Sequence, residues 1–120
     1  MEVWLEVHGR GTSHIPHIRR IMEVANHPAV GVCWNSNPSD VVDGSIRQNF
    51  ELIRDWILSV HLRDLYLPDY PWQELFNLLY RTGYGRFTLA EIPASPEPDR
   101  ILGYFRALWE ARLELAKRLA

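Results

Sequence analysis

Short apolar runs alternate four times with apolar residues at helical spacing, and nothing else in the chain restricts its fold as tightly. Val3 to Val7 reads as a strand. Ile18, Ile21, Met22 and Ala25 then repeat at helical intervals, with Ser13 placed to cap the helix N-terminus. Val30 to Trp34 is a second strand, followed by a stripe through Ile46, Phe50, Ile53 and Ile57. Ile57 to Leu62 must also supply a strand, so that helix is expected to stop near Trp56. Leu75, Phe76 and Leu79 mark a third helix, with Pro71 suited to its first turn and Gly83 to its C-terminal cap. Phe87 to Glu91 is a fourth strand. Beyond the proline-punctuated "IPASPEPD", a last helix carries Ile101, Phe105, Leu108, Trp109, Arg112 and Leu113 along one side.

The strand ends fall near residues 6, 35, 61 and 91, and such intervals suit a strand, a helix and two short loops. Strands alternating in this way with helices predict a parallel sheet built from four βα units. Two architectures accommodate them: an open flavodoxin-like sheet, which normally has a fifth strand, or a (βα)4 half of an eight-stranded barrel. At 120 residues, 1–120 is expected to form a single domain. The formal charge of −2 and a single lysine, Lys117, give no electrostatic reason to expect nucleic acid as a partner. Cys33 is the only cysteine, so no internal disulfide can form. No apolar run approaches the ~20 residues of a membrane helix, and no signal peptide opens the chain, so the expected location is cytoplasmic, with no membrane partner.

The ends of the four strands share a chemical character. Residues i and i+2 of a strand share a face, so Glu6 points with His8, and His61 with Arg63. Asn35 follows "GVCW" and Glu91 follows "FTLA". Each strand therefore ends on a side chain able to ligate a metal or move a proton. That is the end where parallel βα proteins gather ligands and chemistry. Glu, Asn, His and Glu together suit a divalent cation such as Mn, Mg or Co, and Zn also accepts His with carboxylates. His14 and His17, lacking a third ligand nearby, read as a solvated helix N-terminus.

The stretches "WLEVHG", "PAVGVCWNSNPSD", "ILSVHLRD" and "RTGYGRFTLAEI" follow in the order seen in the sugar phosphate isomerase/epimerase family. That family belongs to the xylose-isomerase-like TIM-barrel superfamily, with the endonuclease IV type of repair enzyme. The chain resembles the C-terminal half of a family barrel, its fifth to eighth βα units. "SVHLRD" is similar to the family's H-L-K-D, and "TGYGRFTLAE" to its G-Y-x-G-x-x-x-x-E. The resemblance implies a metal held by Glu6, Asn35, His61 and Glu91, with Glu6 and Glu91 also serving as the catalytic acid/base pair. In the epimerases such a pair moves a proton beside a carbonyl through an enediolate, whose charge the metal stabilises. His8, Asn37 and Arg63 are the expected substrate contacts, Arg63 for a hydroxyl or phosphate. This chain departs from the pattern at two positions, with Asn35 replacing an aspartate and Pro38 standing where a histidine is common.

Three functions follow as expectations. One is a metal-dependent carbohydrate isomerase or epimerase acting on a small sugar. Another is a non-catalytic, self-associating half-barrel scaffold. The third is a subunit whose barrel a separate partner half completes. The first two share a prediction: a homodimer that pairs the apolar outer strands, Val3 to Val7 and Phe87 to Ala90, and restores eight strands.

Overall fold

Every apolar run becomes a strand in the computed structural model, which describes residues 1–119. The elements are β1 (Val3–Glu6), α1 (Ile15–Ala25), β2 (Val30–Trp34), α2 (Arg47–Ile53), β3 (Ile57–Leu62), α3 (Trp72–Arg81), β4 (Thr88–Ala90) and α4 (Pro98–Leu119). Two single turns of 3-10 helix, Pro38–Asp40 and Arg54–Trp56, precede and follow α2. The second of them ends the helix at Trp56, because the next residue already pairs in the sheet. All strand pairs are parallel and the spatial order is β1-β2-β3-β4. Four parallel strands alternating with four helices in chain order make the (βα)4 arrangement of half a barrel.

Two local expectations fall one residue off: Pro71 is the N-cap of α3 and not part of its first turn, and the cap of α1 also moves. His14, not Ser13, occupies the N-cap of α1, and its side chain makes no capping hydrogen bond. Residues 9–13 first close a turn of their own, with the Ser13 amide donating to the Gly9 carbonyl. Pro16 then fixes the first turn of the helix.

The alternation of strand side chains divides the molecule into two sides. Val7, Val32, Trp34, Val60 and Leu62 point toward the helices and are buried against Ile18 and Met22 of α1, Phe50 and Ile53 of α2, and Leu75 and Phe76 of α3. Each such side chain contributes about 1.5–3 kcal/mol by leaving water. The opposite side carries Trp4, Glu6, Gly31, Cys33, Ser59, His61, Leu89 and Glu91 by the same alternation. In a flat sheet β1 and β4 would stand about 14 Å apart, three strand spacings. Yet Glu6, the last residue of β1, and Glu91, the residue after β4, both reach His61. At the other end Arg86 reaches Glu2, with Nη2 to Oε1 at 2.5 Å. The sheet therefore curls, concave toward the polar cluster. That concave side is largely open: Trp4, Phe87 and Leu89 remain 44%, 81% and 44% exposed. Among the described residues, no helix is long and apolar enough to cross a membrane.

Candidate metal centre

Four strand ends deliver the cluster. Glu6 closes β1, Asn35 directly follows β2, His61 is the fifth residue of β3, and Glu91 directly follows β4. Backbone pairing carries past the formal strand ends and fixes two of these positions. The Val7 amide donates to Cys33 O at 3.1 Å, and the Glu91 amide to Leu62 O at 2.8 Å. The two carboxylates thus hang from ordered ladders.

The imidazole nitrogen Nδ1 of His61 is the meeting point. It lies 2.8 Å from Glu91 Oε2, 3.7 Å from Glu6 Oε1 and 3.1 Å from Asn35 Oδ1. A ring nitrogen carries at most one proton and can satisfy one of these oxygens, not three. Three oxygens converging on one nitrogen is a donor set with more lone pairs than protons, which a cation would balance. Glu6, His61 and Glu91 each offer a ligand atom within 4.8 Å of the others, so the group could hold a metal ion. Two carboxylates, an imidazole and an amide carbonyl are oxygen and nitrogen donors of the kind that ligate metal cations. The carboxylates are open to solvent, with side chains 44% and 58% exposed, while the imidazole is 22% exposed.

Asn35 is aimed by its neighbours. Its Nδ2 donates to Asn37 Oδ1 at 3.1 Å, which leaves Oδ1 facing His61. Asn37 in turn donates Nδ2 to the Val7 carbonyl and its backbone amide to Asp40 Oδ2, the latter at 2.8 Å. Both halves of a capping box close the Pro38–Asp40 turn around Asn37. Asn37, expected as a substrate contact, therefore spends its side chain inside the protein, tying β1 to the loop after β2. Ser36 fastens the same loop to β3, with its hydroxyl donating to His61 O at 2.7 Å.

Arg63 is likewise engaged. Its Nε donates to Ser36 O at 2.9 Å and its Nη1 to Asp69 at 3.2 Å, while the guanidinium lies 5.6 Å and 5.5 Å from the ring centres of Tyr70 and Trp72. Arg63 braces two loops at the mouth of the sheet. His8 lies past the end of β1, exposed, on the side of the strand that carries Glu6. Trp34 is fully buried and packs edge-on against Phe50.

The residues that sequence reasoning missed lie one layer deeper. Asp40 is buried and accepts from Tyr70 Oη at 2.7 Å, and Tyr70 Oη accepts from Trp34 Nε1 at 3.1 Å. Burial pushes the Asp40 carboxyl up to about 6, against the opposing pull of Tyr70, the Asn37 amide and the Arg63 charge. The same burial and the Asp40 charge drive the Tyr70 phenol far above its ordinary value. The "NPSD" spacing of a capping box was a visible signal for Asp40. Nothing local in the sequence points to Tyr70, thirty residues further on. Cys33, beneath the cluster, is pushed up to about 11 chiefly by burial, which makes it an inert thiol.

Compared with known proteins, the chain matches no family model and no curated sequence.

Proposed function

We propose that this protein is a metal-dependent isomerase or epimerase of a small sugar or sugar phosphate, moving a proton on the carbon beside a carbonyl. The observation that carries the reading is the convergence of Glu6 and Glu91, from opposite edges of the sheet, on His61 at an open mouth. Glu6, His61 and Glu91 would hold the cation, with Asn35 as a neutral fourth donor. When bound, a divalent cation supplies the positive charge that offsets an oxyanion.

The rest falls to the chain's own groups. Each carboxylate turns one oxygen toward His61, and among the described residues neither accepts a hydrogen bond from another donor. A free carboxylate oxygen can take the proton from the carbon beside the carbonyl. The C–H electron pair then forms the carbon–carbon double bond while the carbonyl oxygen takes the negative charge. Returning a proton to the opposite face of that carbon inverts it; returning it to the former carbonyl carbon, while the adjacent hydroxyl gives its proton to the former carbonyl oxygen and becomes the new carbonyl, isomerises the sugar. Two carboxylates from opposite strands give a proton carrier on each side. The Asn37 and Ser36 ties hold Asn35 and the His61 backbone still, which is positioning rather than chemistry.

The test is solvent exchange. Incubated with manganese and a panel of ketoses and ketose phosphates in deuterated water, the protein should place deuterium beside the carbonyl, and Glu91→Gln should abolish this. Metal binding without exchange on any ketose would favour the scaffold reading instead.

A further inference from the structure

The two ends of the strand array are unfinished in ways that match each other. Among the described residues β1 pairs only with β2 and β4 only with β3, so each has one edge of backbone donors and acceptors without a strand beside it. Apolar side chains crowd both ends: Val3 is 61% exposed and Phe87 is 81% exposed. The outer helices repeat the pattern, with Val24 of α1 at 74% and Leu102 of α4 at 49%. Soluble proteins rarely leave sheet edges and helix flanks this apolar on both ends of one layer.

Charge adds direction. Glu2 lies before β1 and Arg86 before β4, and their contact within the chain shows that they sit at the same depth of the sheet. Opposite charges therefore stand at one level beside β1 and β4, paired with each other within the single chain, and Arg86 also donates Nε to the Leu58 carbonyl at 2.7 Å. The surface area agrees. A folded chain of 14.1 kDa exposes about 6,700 Å² by the usual scaling, whereas this one exposes 7570 Å². The excess, about 800 Å², is what one partner of a standard interface buries.

We propose that the occupant of these edges is a second copy of the chain. Two copies related by a two-fold axis along the concave side place β1 of each in parallel beside β4 of the other. Both seams then form at once, and the sheet closes at eight strands. Glu2 of each copy exchanges the Arg86 of its own chain for that of its partner, while Trp4, Phe87 and Leu89 of both fill the shared interior. The proposal does not depend on any chemistry at the metal centre.

Charge reversal tests it in a form that only two copies can pass. Glu2→Arg puts arginine on both edges and Arg86→Glu puts glutamate on both, so each variant repels itself at each seam. Sedimentation of the parent at micromolar concentration should give twice the mass of one chain. Each single variant should dissociate at least roughly tenfold more readily. An equimolar mixture of the two should recover parent-like association, because both of its seams are matched and neither chain can form the ion pair within itself. Phe87→Glu and Val24→Glu, at exposed positions, should give folded monomers by circular dichroism and sedimentation. A monomeric parent overturns the proposal, including one that associates only with a different barrel half. So does a mixture that fails to recover, or a parent-like dimer in both Phe87→Glu and Val24→Glu.

Discussion

Asn35 and Asp40 act on the same imidazole, one by contact and one through the loop that joins them. Asn35 presents a dipole to His61 where a carboxylate would present a charge. Asn35→Asp should tighten manganese binding by about tenfold, since hard cations favour carboxylate oxygen. The same change should lower metal-free stability by about 1–2 kcal/mol, because the amide donated to Asn37 Oδ1 becomes another acceptor. His61→Ala should weaken binding at least roughly a hundredfold. Calorimetric titration and urea unfolding read these three effects. Asp40 sets a pH dependence of opposite sense to an ordinary salt-bridged carboxylate. Its folded value of about 6 lies above the 3.8 of a free aspartate, so the native state holds the proton more tightly. Its contribution to stability is therefore complete below pH ~4 and lost as pH rises through ~6, up to about 3 kcal/mol in all. Asp40→Asn keeps an acceptor for Tyr70 and the Asn37 amide, and should remove that slope from the difference between the two unfolding profiles.

At the scale of elements, β2 and β3 are locked by an absence. A Cβ at Gly31 would lie 2.4 Å from Leu58 Cδ1 and 2.7 Å from the Trp56 carbonyl oxygen. Gly31→Ala should cost about 1–3 kcal/mol in urea unfolding, and adding Leu58→Ala should recover only part of it, because the carbonyl cannot step aside. The close approach falls beside the irregularity in the β2–β3 register, between Val32 and Cys33. No sequence pattern marked that irregularity, because an offset between two strands depends on how both are seated. The strands themselves were legible, since each apolar run is short, bounded and followed by a helical stripe. The residues at the strand ends were also legible, because period-two alternation fixes which side chains share a face. Their convergence on one centre was expected through the family resemblance and not from the alternation itself, since curvature arises from packing across all four units. The Asp40–Tyr70–Trp34 chain was hidden for a related reason: its three members lie on a 3-10 turn, a loop and a strand, joined only by folding. Ser13 misled because the turn of residues 9–13 still includes it, so the helix begins one residue later, with His14 at the cap position.

Across the whole molecule, every strand lies beside its neighbours in the sequence and no others. Such an array has a middle and two ends, and the ends are unequal. β2 and β3 pair on both sides and bury Val32, Trp34, Val60 and Leu62, whereas β4 is three residues long and pairs on one side. Translated into amide hydrogen exchange, the fold should open in steps rather than all at once. Amides within β2 and β3 should exchange only on global unfolding, and those of β4 at least roughly 100-fold faster through local detachment. Exchange followed by mass spectrometry, read at several protein concentrations, would resolve that gradient. If both edges are covered by a second copy, protection of β1 and β4 should climb with concentration while that of β2 and β3 stays level. The order of the strands would then be audible as a rhythm of exposure, slow at the centre and quick at the margins.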